Sequence, residues 1–205
     1  LILALHGRGD SAHGLSFLRH HLRIDNRDWL FLNAPDPWPL PYGAPGYSWY
    51  GLAPDHRPGI ERSLQKLNDA LAELASQGYA RNQIVLFGFS QGCLMSLELG
   101  LRSPQPFEGI VGISGVIYDQ DKLLQEMHPN SRSTPVWMSH GYQDDVLPYE
   151  GYVKLRDKLS SKLLNYHSES LSKSHTIISV EFDLIAEFLL RIQREKNFFK
   201  DPDHI

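Results

Sequence analysis

The sequence predicts an α/β fold, a mostly parallel central sheet with helices on both faces, and three observations lead there. Short apolar runs alternate with helical patterns six times along the chain, with no internal repeat and no low-complexity segment. The runs are continuous, as in Ile84-Val85-Leu86-Phe87, which suits strands covered on both sides better than half-solvated ones. Finally, a glycine-flanked serine, Gly88-Phe89-Ser90-Gln91-Gly92, stands between such a run and a helical pattern. A turn that sharp strains the serine backbone and crowds the chain, so glycines are needed where a Cβ would collide.

Taken in order, Leu1 to Leu5 is an apolar run followed by the glycine-spaced His6-Gly7-Arg8-Gly9-Asp10, whose amides can turn toward a site or simply end a strand. One helix is expected from about Ser11 to Leu22, with Ser11 as N-cap and Leu15, Leu18 and Leu22 on one face. Trp29 to Ala34 is the next strand. From Pro35 to Pro58 the chain carries Trp38, Tyr42, Tyr47, Trp49 and Tyr50 among prolines, and no regular element is expected there. This aromatic excursion either walls a pocket or packs its rings, Trp49 and Tyr50 above all, onto the sheet.

Ile60, Leu64, Leu67, Leu71 and Leu74 mark a long amphipathic helix that stops at Gly78. After the strand and helix around Ser90, which end before Pro104, Phe107 to Ile113 gives another strand and Asp119 to Met127 a short helix. Pro135 to Ser139 is a strand leading into His140-Gly141-Tyr142-Gln143-Asp144-Asp145, then a helix carries Tyr152, Leu155, Leu159 and Leu163. A strand around Asn165 to Ser170 precedes Lys173-Ser174-His175-Thr176. Phe182, Ile185, Leu189 and Ile192 mark the last helix, and Asn197 to Ile205 reads as a polar tail.

The 205 residues suit a single domain over 1–205, although the chain opens on Leu1 without a methionine, so further N-terminal strands upstream stay open. A formal charge of −4 offers no polycationic surface, so no nucleic-acid partner is implied. No apolar run has the length of a membrane span. The single cysteine, Cys93, reads as a small buried hydrophobe that forms no internal disulfide; a cytoplasmic location fits, with upstream targeting left open. A homodimer is a candidate assembly. Ten histidines show neither zinc spacing with paired cysteines nor an H-E-x-x-H pattern, and no metal is expected.

A serine hydroxyl needs a histidine to take its proton, and that histidine needs a carboxylate to fix its tautomer. On sheets with this strand-serine-helix turn the chain order is Ser, then acid, then His, which removes His6, His13, His20, His21 and His56. His128 and His140 precede the acid loop, His167 falls inside a strand and His204 in the tail, which leaves His175. For the acid, Glu98 and Asp157 lie on helices and Asp119 and Asp121 follow a strand too early. Asp144 is preferred to its neighbour Asp145, which stays open as the alternative. The amides of Gln91 and Arg8 are placed to receive an oxyanion, while the Arg8 side chain either pairs with Asp10 or reaches substrate.

Leu5-His6-Gly7-Arg8-Gly9-Asp10, Gly88 to Gly92, His140-Gly141-Tyr142-Gln143-Asp144 with Pro148, and Ser174-His175-Thr176-Ile177 together resemble the phospholipase/carboxylesterase family of α/β-hydrolases, which includes acyl-protein thioesterases. Ser48-Trp49-Tyr50 is similar to that family's aromatic loop. The resemblance implies an α/β-hydrolase fold and a carboxylesterase-type serine hydrolase with Ser90, Asp144 and His175 as triad and Arg8 and Gln91 as oxyanion donors. It implies an acyl ester or thioester substrate and no cofactor. Two departures stand out: Ser174 where the family commonly has glycine before its histidine, and the doubled acid at Asp144-Asp145. Trp38, Tyr47, Trp49 and Tyr50 are expected to bind the acyl chain, and a stiff, proline-rich loop without an inserted cap favours short to medium chains. The alternatives are a long-chain lysophospholipase or acyl-protein thioesterase, and a non-catalytic binding module that keeps the fold.

Overall fold

A computed structural model describes residues 1–198 apart from 23, 42–44, 53 and 55. Tyr42 and most of the expected tail therefore lie outside the described residues. Six strands form one sheet in the order β2-β1-β5-β6-β7-β8, every neighbouring pair parallel: β1 (Ile2–Leu5), β2 (Trp29–Leu32), β5 (Val85–Phe89), β6 (Gly109–Ile113), β7 (Val136–Gly141) and β8 (Tyr166–Leu171). Parallel neighbours need crossover connections, and the helices that make them cover both faces.

Alternation along each strand divides the core. Leu3, Leu5, Leu86, Ile110 and Met138 face a cluster with α3 (His56–Ser76), α4 (Gln91–Leu101) and α6 (Tyr149–Ser160). Ile2, Ala4, Val85, Phe87, Val111 and Trp137 face the other way, onto Leu15, Leu18, Leu22 and the Ile185, Phe188, Leu189 and Ile192 stripe of α7 (Ser179–Phe198). The five apolar residues expected on the long helix are all buried in α3. Its start at His56 places Pro58 within the first turn, where the missing N–H costs nothing.

Three expectations need correction. The stretch Ser11–Leu22 is two short helices, α1 (Ala12–Leu15) and α2 (Leu18–His21), because Ser16 turns its hydroxyl onto His13 O (2.6 Å) and the chain re-enters helix after Phe17. Ser11 does cap the first, accepting from Gly14 N–H. The Pro35–Pro58 excursion contains a two-stranded antiparallel ribbon of β3 (Asp36–Trp38) and β4 (Gly46–Ser48). Pro37 is tolerated there because a two-stranded ribbon is all edge. Strand β7 runs on through His140 and Gly141, past the expected end at Ser139. Asp119 caps α5 (Gln120–Glu126). Among the described residues no helix is long and apolar enough to cross a membrane.

Candidate active site

Strand β5 delivers Ser90 at the carboxyl edge of the sheet, with φ 54° and ψ −115°. That is a conformation L-residues avoid, and it is held by Ser90 N–H donating to Ile113 O at 2.9 Å on the next strand. Glycine is obligatory on both sides. A Cβ on Gly88 would stand 2.1 Å from Gly92 O, and one on Gly92 would stand 2.0 Å from Leu5 O. Helix α4 starts immediately after the serine, so the Gln91 amide is one of the first-turn N–H groups without an intrahelical partner.

Two loops at the same edge meet Ser90. Leaving β8, the chain carries His175, whose Nε2 lies 2.9 Å from Ser90 Oγ and whose Nδ1 lies 2.8 Å from Asp144 Oδ2 in the loop after β7. Asp144 also accepts from the Val146 and Leu147 amides through Oδ1, at 3.0 and 2.8 Å. Burial opposes ionisation of Asp144, yet the Leu147 amide, the His175 imidazole and the Val146 amide together hold its pKa below the usual carboxylate value. An ionised carboxylate only accepts, so Nδ1 of His175 carries the proton and Nε2 keeps a lone pair facing the Ser90 hydroxyl. Asp145 is exposed, and it is Asp144 that bonds His175. His140, buried at the end of β7, donates from Nε2 to Leu147 O (2.8 Å) and sits 3.4 Å from Asp144; burial lowers its pKa.

The Arg8 loop runs beside the serine, close enough that a Cβ on Gly7 would lie 3.4 Å from Ser90 Cβ. After Arg8, Gly9 N–H donates to Tyr47 O (2.8 Å) and Asp10 N–H to Gly7 O (3.2 Å), so the next two amides are spent on fixing the loop. The Arg8 guanidinium lies 5.3 Å from the Trp38 ring centroid, not in a salt bridge with Asp10. Buried His6 braces the loop: its Nδ1 bonds Gly7 O (2.6 Å) and its Nε2 accepts from Ala34 N–H (3.1 Å).

Of the four aromatic residues expected to hold the acyl chain, one lines the cleft. A cavity of 380 Å³ opens over Ser90 and His175, with Tyr50 in its wall beside Leu52, Val116, Tyr118, Val146 and Leu147. Trp49 is 0% exposed, its indole N–H donating to His6 O at 2.9 Å, and belongs to the core. Trp38 packs on Arg8 and Gly9, and Tyr47 contributes its backbone to the loop; both support the Arg8 loop instead of lining the cleft. The physical reason is the β3–β4 ribbon, which fastens this excursion to the Arg8 loop through the Asp10–Tyr47 bridge.

Some of these parts were not evident in the sequence. The Gln91 side chain spans Ser48 to Tyr50: its Oε1 accepts from Ser48 Oγ (3.2 Å) and Trp49 N–H (2.9 Å), and its Nε2 donates to Tyr50 O (2.8 Å). Nothing in a lone glutamine signals that. Val116 and Tyr118 had a positional signal, since they follow the carboxyl end of β6, where ligands of such sheets collect. Phe89 sets its ring 5.1 Å from the His175 imidazole. Among the described residues no group of His, Cys, Asp and Glu is arranged to hold a metal ion.

A family model described as phospholipase/carboxylesterase matches residues 1–192. The chain belongs to that family. Within the phospholipase/carboxylesterase family, acyl-protein thioesterase 1 of Yarrowia lipolytica is 34% identical over 175 residues, spanning 79% of this chain and 77% of its own. The crystal structure of esterase PE8 is similar at 32% identity with a TM-score of 0.77, covering 93% of this chain and 91% of that one. SOBER1 of Arabidopsis thaliana superposes with a TM-score of 0.83 over 94% of this chain and 98% of its own; at 21% identity it speaks to the fold alone. The sheet is that of the α/β-hydrolases, and the protein is a hydrolase of the serine-esterase type.

Proposed function

We infer that this phospholipase/carboxylesterase cleaves short- to medium-chain acyl esters or thioesters through a covalent acyl-enzyme on Ser90. The observation that carries the reading is the unbroken chain Ser90 Oγ, His175, Asp144, at 2.9 and 2.8 Å, facing one cleft. In this reading His175 Nε2 takes the hydroxyl proton as Oγ attacks the acyl carbon, and the carbonyl electrons move onto oxygen. The Gln91 and Arg8 amides receive that oxyanion. His175 then hands its proton to the departing alkoxide or thiolate, and a water repeats the sequence to release the acid. Asp144 keeps the imidazole in the productive tautomer and offsets its charge. The lone thiol, Cys93, takes no part: burial pushes its pKa up to about 12. A single buried cysteine also suits the reducing cytoplasm, where we place the protein.

Chain length follows from the cleft. Leu52, Val116, Tyr118, Val146 and Leu147 supply apolar contact, and each methylene they cover is worth about 0.8 kcal/mol. Four further carbons would thus add about 3 kcal/mol, roughly a hundredfold in kcat/KM, until the wall ends. With p-nitrophenyl esters from acetyl to palmitoyl, each below its micelle concentration, kcat/KM is expected to climb to a medium chain and then fall. A second reading has its own support. The Yarrowia lipolytica relative is named for acyl-protein thioesterase activity, and Leu52, Tyr118 and Val146 leave apolar surface exposed at the cleft mouth. A rate still climbing at palmitoyl would establish that long-chain reading and overturn the short-chain one. Burst release of p-nitrophenol separates either from a non-catalytic binding module.

A further inference from the structure

The loop between β8 and α7 carries His175, yet its own backbone bonds are few. Lys173 N–H donates to Leu171 O (3.0 Å) and Thr176 N–H to Ser174 O (2.8 Å), short contacts that bend a chain without anchoring it. The anchor is a buried ion pair. Lys173 Nζ lies 2.7 Å from Glu181 Oε1, and both side chains are 0% exposed. The ammonium uses its three donors, on Glu181, on Ser114 Oγ (3.0 Å) and on Thr176 O (2.9 Å). Glu181, in the first turn of α7, accepts in addition from Ser139 Oγ and from Ile178 N–H (2.9 Å).

The positions of these partners matter more than their number. The bond from Lys173 Nζ to Thr176 O closes a ring through Ser174 and His175, and Ile178 secures the chain just beyond. Ser114 stands at the end of β6, in a left-handed conformation with φ 49°, and Ser139 lies on β7, the strand that leads to Asp144. Lys173 O also accepts from Gln143 N–H (3.1 Å), next to Asp144. One buried pair therefore ties both flanks of His175 to β6, the neighbour of the Ser90 strand, and to β7. A buried ion pair is a weak route to stability, because desolvation offsets most of the attraction. Retaining one here makes sense where position is at stake.

We propose that the Lys173–Glu181 pair is the positioning device for His175, holding its imidazole within reach of Ser90 and Asp144 at once, although neither residue meets substrate. The proposal deepens the triad reading given above and rests on it. A misplacement on the order of 1 Å at a reacting group can cost about a hundredfold in rate.

Lys173→Met alone would strand a buried carboxylate, so the test uses Glu181→Gln and the double variant Lys173→Met/Glu181→Gln, each checked for folding by thermal melting. The charged or titratable groups facing His175 are Asp144 from the β7 loop, His140 at the end of β7, Arg8 across the cleft, and the pair itself. In the folded double variant, with active sites counted by burst titration, kcat is expected to fall about a hundredfold while KM stays within about twofold. The downfield proton resonance of His175 Nδ1–H bonded to Asp144 should weaken with it. Glu181→Gln, which leaves an uncompensated ammonium, should move the acid limb of kcat/KM to lower pH; the double variant should return that limb to its original place without restoring kcat. Unchanged kcat and an unchanged resonance in the folded double variant would overturn the proposal, and Glu181→Gln decides in the same way should the double variant not fold. A parent protein that shows the resonance but takes up no fluorophosphonate at Ser90 would sink the triad reading instead, leaving the positioning claim to the resonance.

Discussion

Ser90→Ala is expected to lower kcat for ester hydrolysis by on the order of 10⁶ and to abolish fluorophosphonate labelling. The size of the loss follows from the geometry. His175 Nε2 is 2.9 Å from Ser90 Oγ and would face a methyl group, so neither a nucleophile nor a proton to abstract remains. Binding should survive, because Tyr50, Leu52, Val116 and Tyr118 are untouched and KM for a weakly turned-over ester should change little. Ser90→Gly should be equally inactive but more stable than Ser90→Ala, since glycine adopts φ 54° without the strain that a Cβ imposes. Labelling by mass spectrometry together with single-turnover kinetics checks both. Ester hydrolysis by Ser90→Ala at the parental rate would remove Ser90 from the chemistry.

Asp144→Asn is expected to cost about 10⁴ in kcat, and Asp145→Asn far less. Oδ1 of Asp144 accepts from the Val146 and Leu147 amides, so an asparagine must keep its oxygen there and turn its NH₂ toward His175 Nδ1. That forces the imidazole into the other tautomer, with a proton on Nε2 where the Ser90 proton has to go. Asp145, exposed, has no such hold. If Asp145→Asn gave the large loss and Asp144→Asn the small one, the acid would have to be reassigned. Stability carries the same signature. The pKa of Asp144 is depressed in the fold, so its contribution is present above the unfolded carboxylate value of about 3.9 and is lost as pH falls through the lower folded value. Denaturant curves of the parent and Asp144→Asn should therefore converge as pH drops below about 4.

The sheet was legible because its central strands are buried on both faces, so Ile84 to Phe87 and Gly109 to Ile113 read as runs without a charge. The meeting of Ser90, Asp144 and His175 was legible for a related reason. Each lies just past the carboxyl end of a parallel strand, and parallel pairing puts those ends on one edge of the sheet, from which the loops reach a common site. The break between α1 and α2 was hidden because Leu15, Leu18 and Leu22 remain buried on one face across it, so the pattern survives where the helix does not. The β3–β4 ribbon escaped notice because its strands are three residues long and one contains Pro37. Trp49 and Trp38 misled because aromatic residues in a proline-rich excursion look the same whether they face a cleft or brace a loop. Only the tertiary bond from the Trp49 indole to His6 decides for Trp49.

Gln91 offers its amide at the start of α4 and spends its side chain on Ser48, Trp49 and Tyr50. Truncating that side chain would leave the amide in place while freeing the segment that carries Tyr50 into the cleft wall, so a drop in activity at this position would be misattributed to the oxyanion. For protein engineers the consequence is one of modularity. The aromatic excursion is not a cassette: transplanted into a homologous hydrolase without a glutamine in the same place, it would arrive unfastened, and a chimera that is to inherit its selectivity must inherit residue 91 as well.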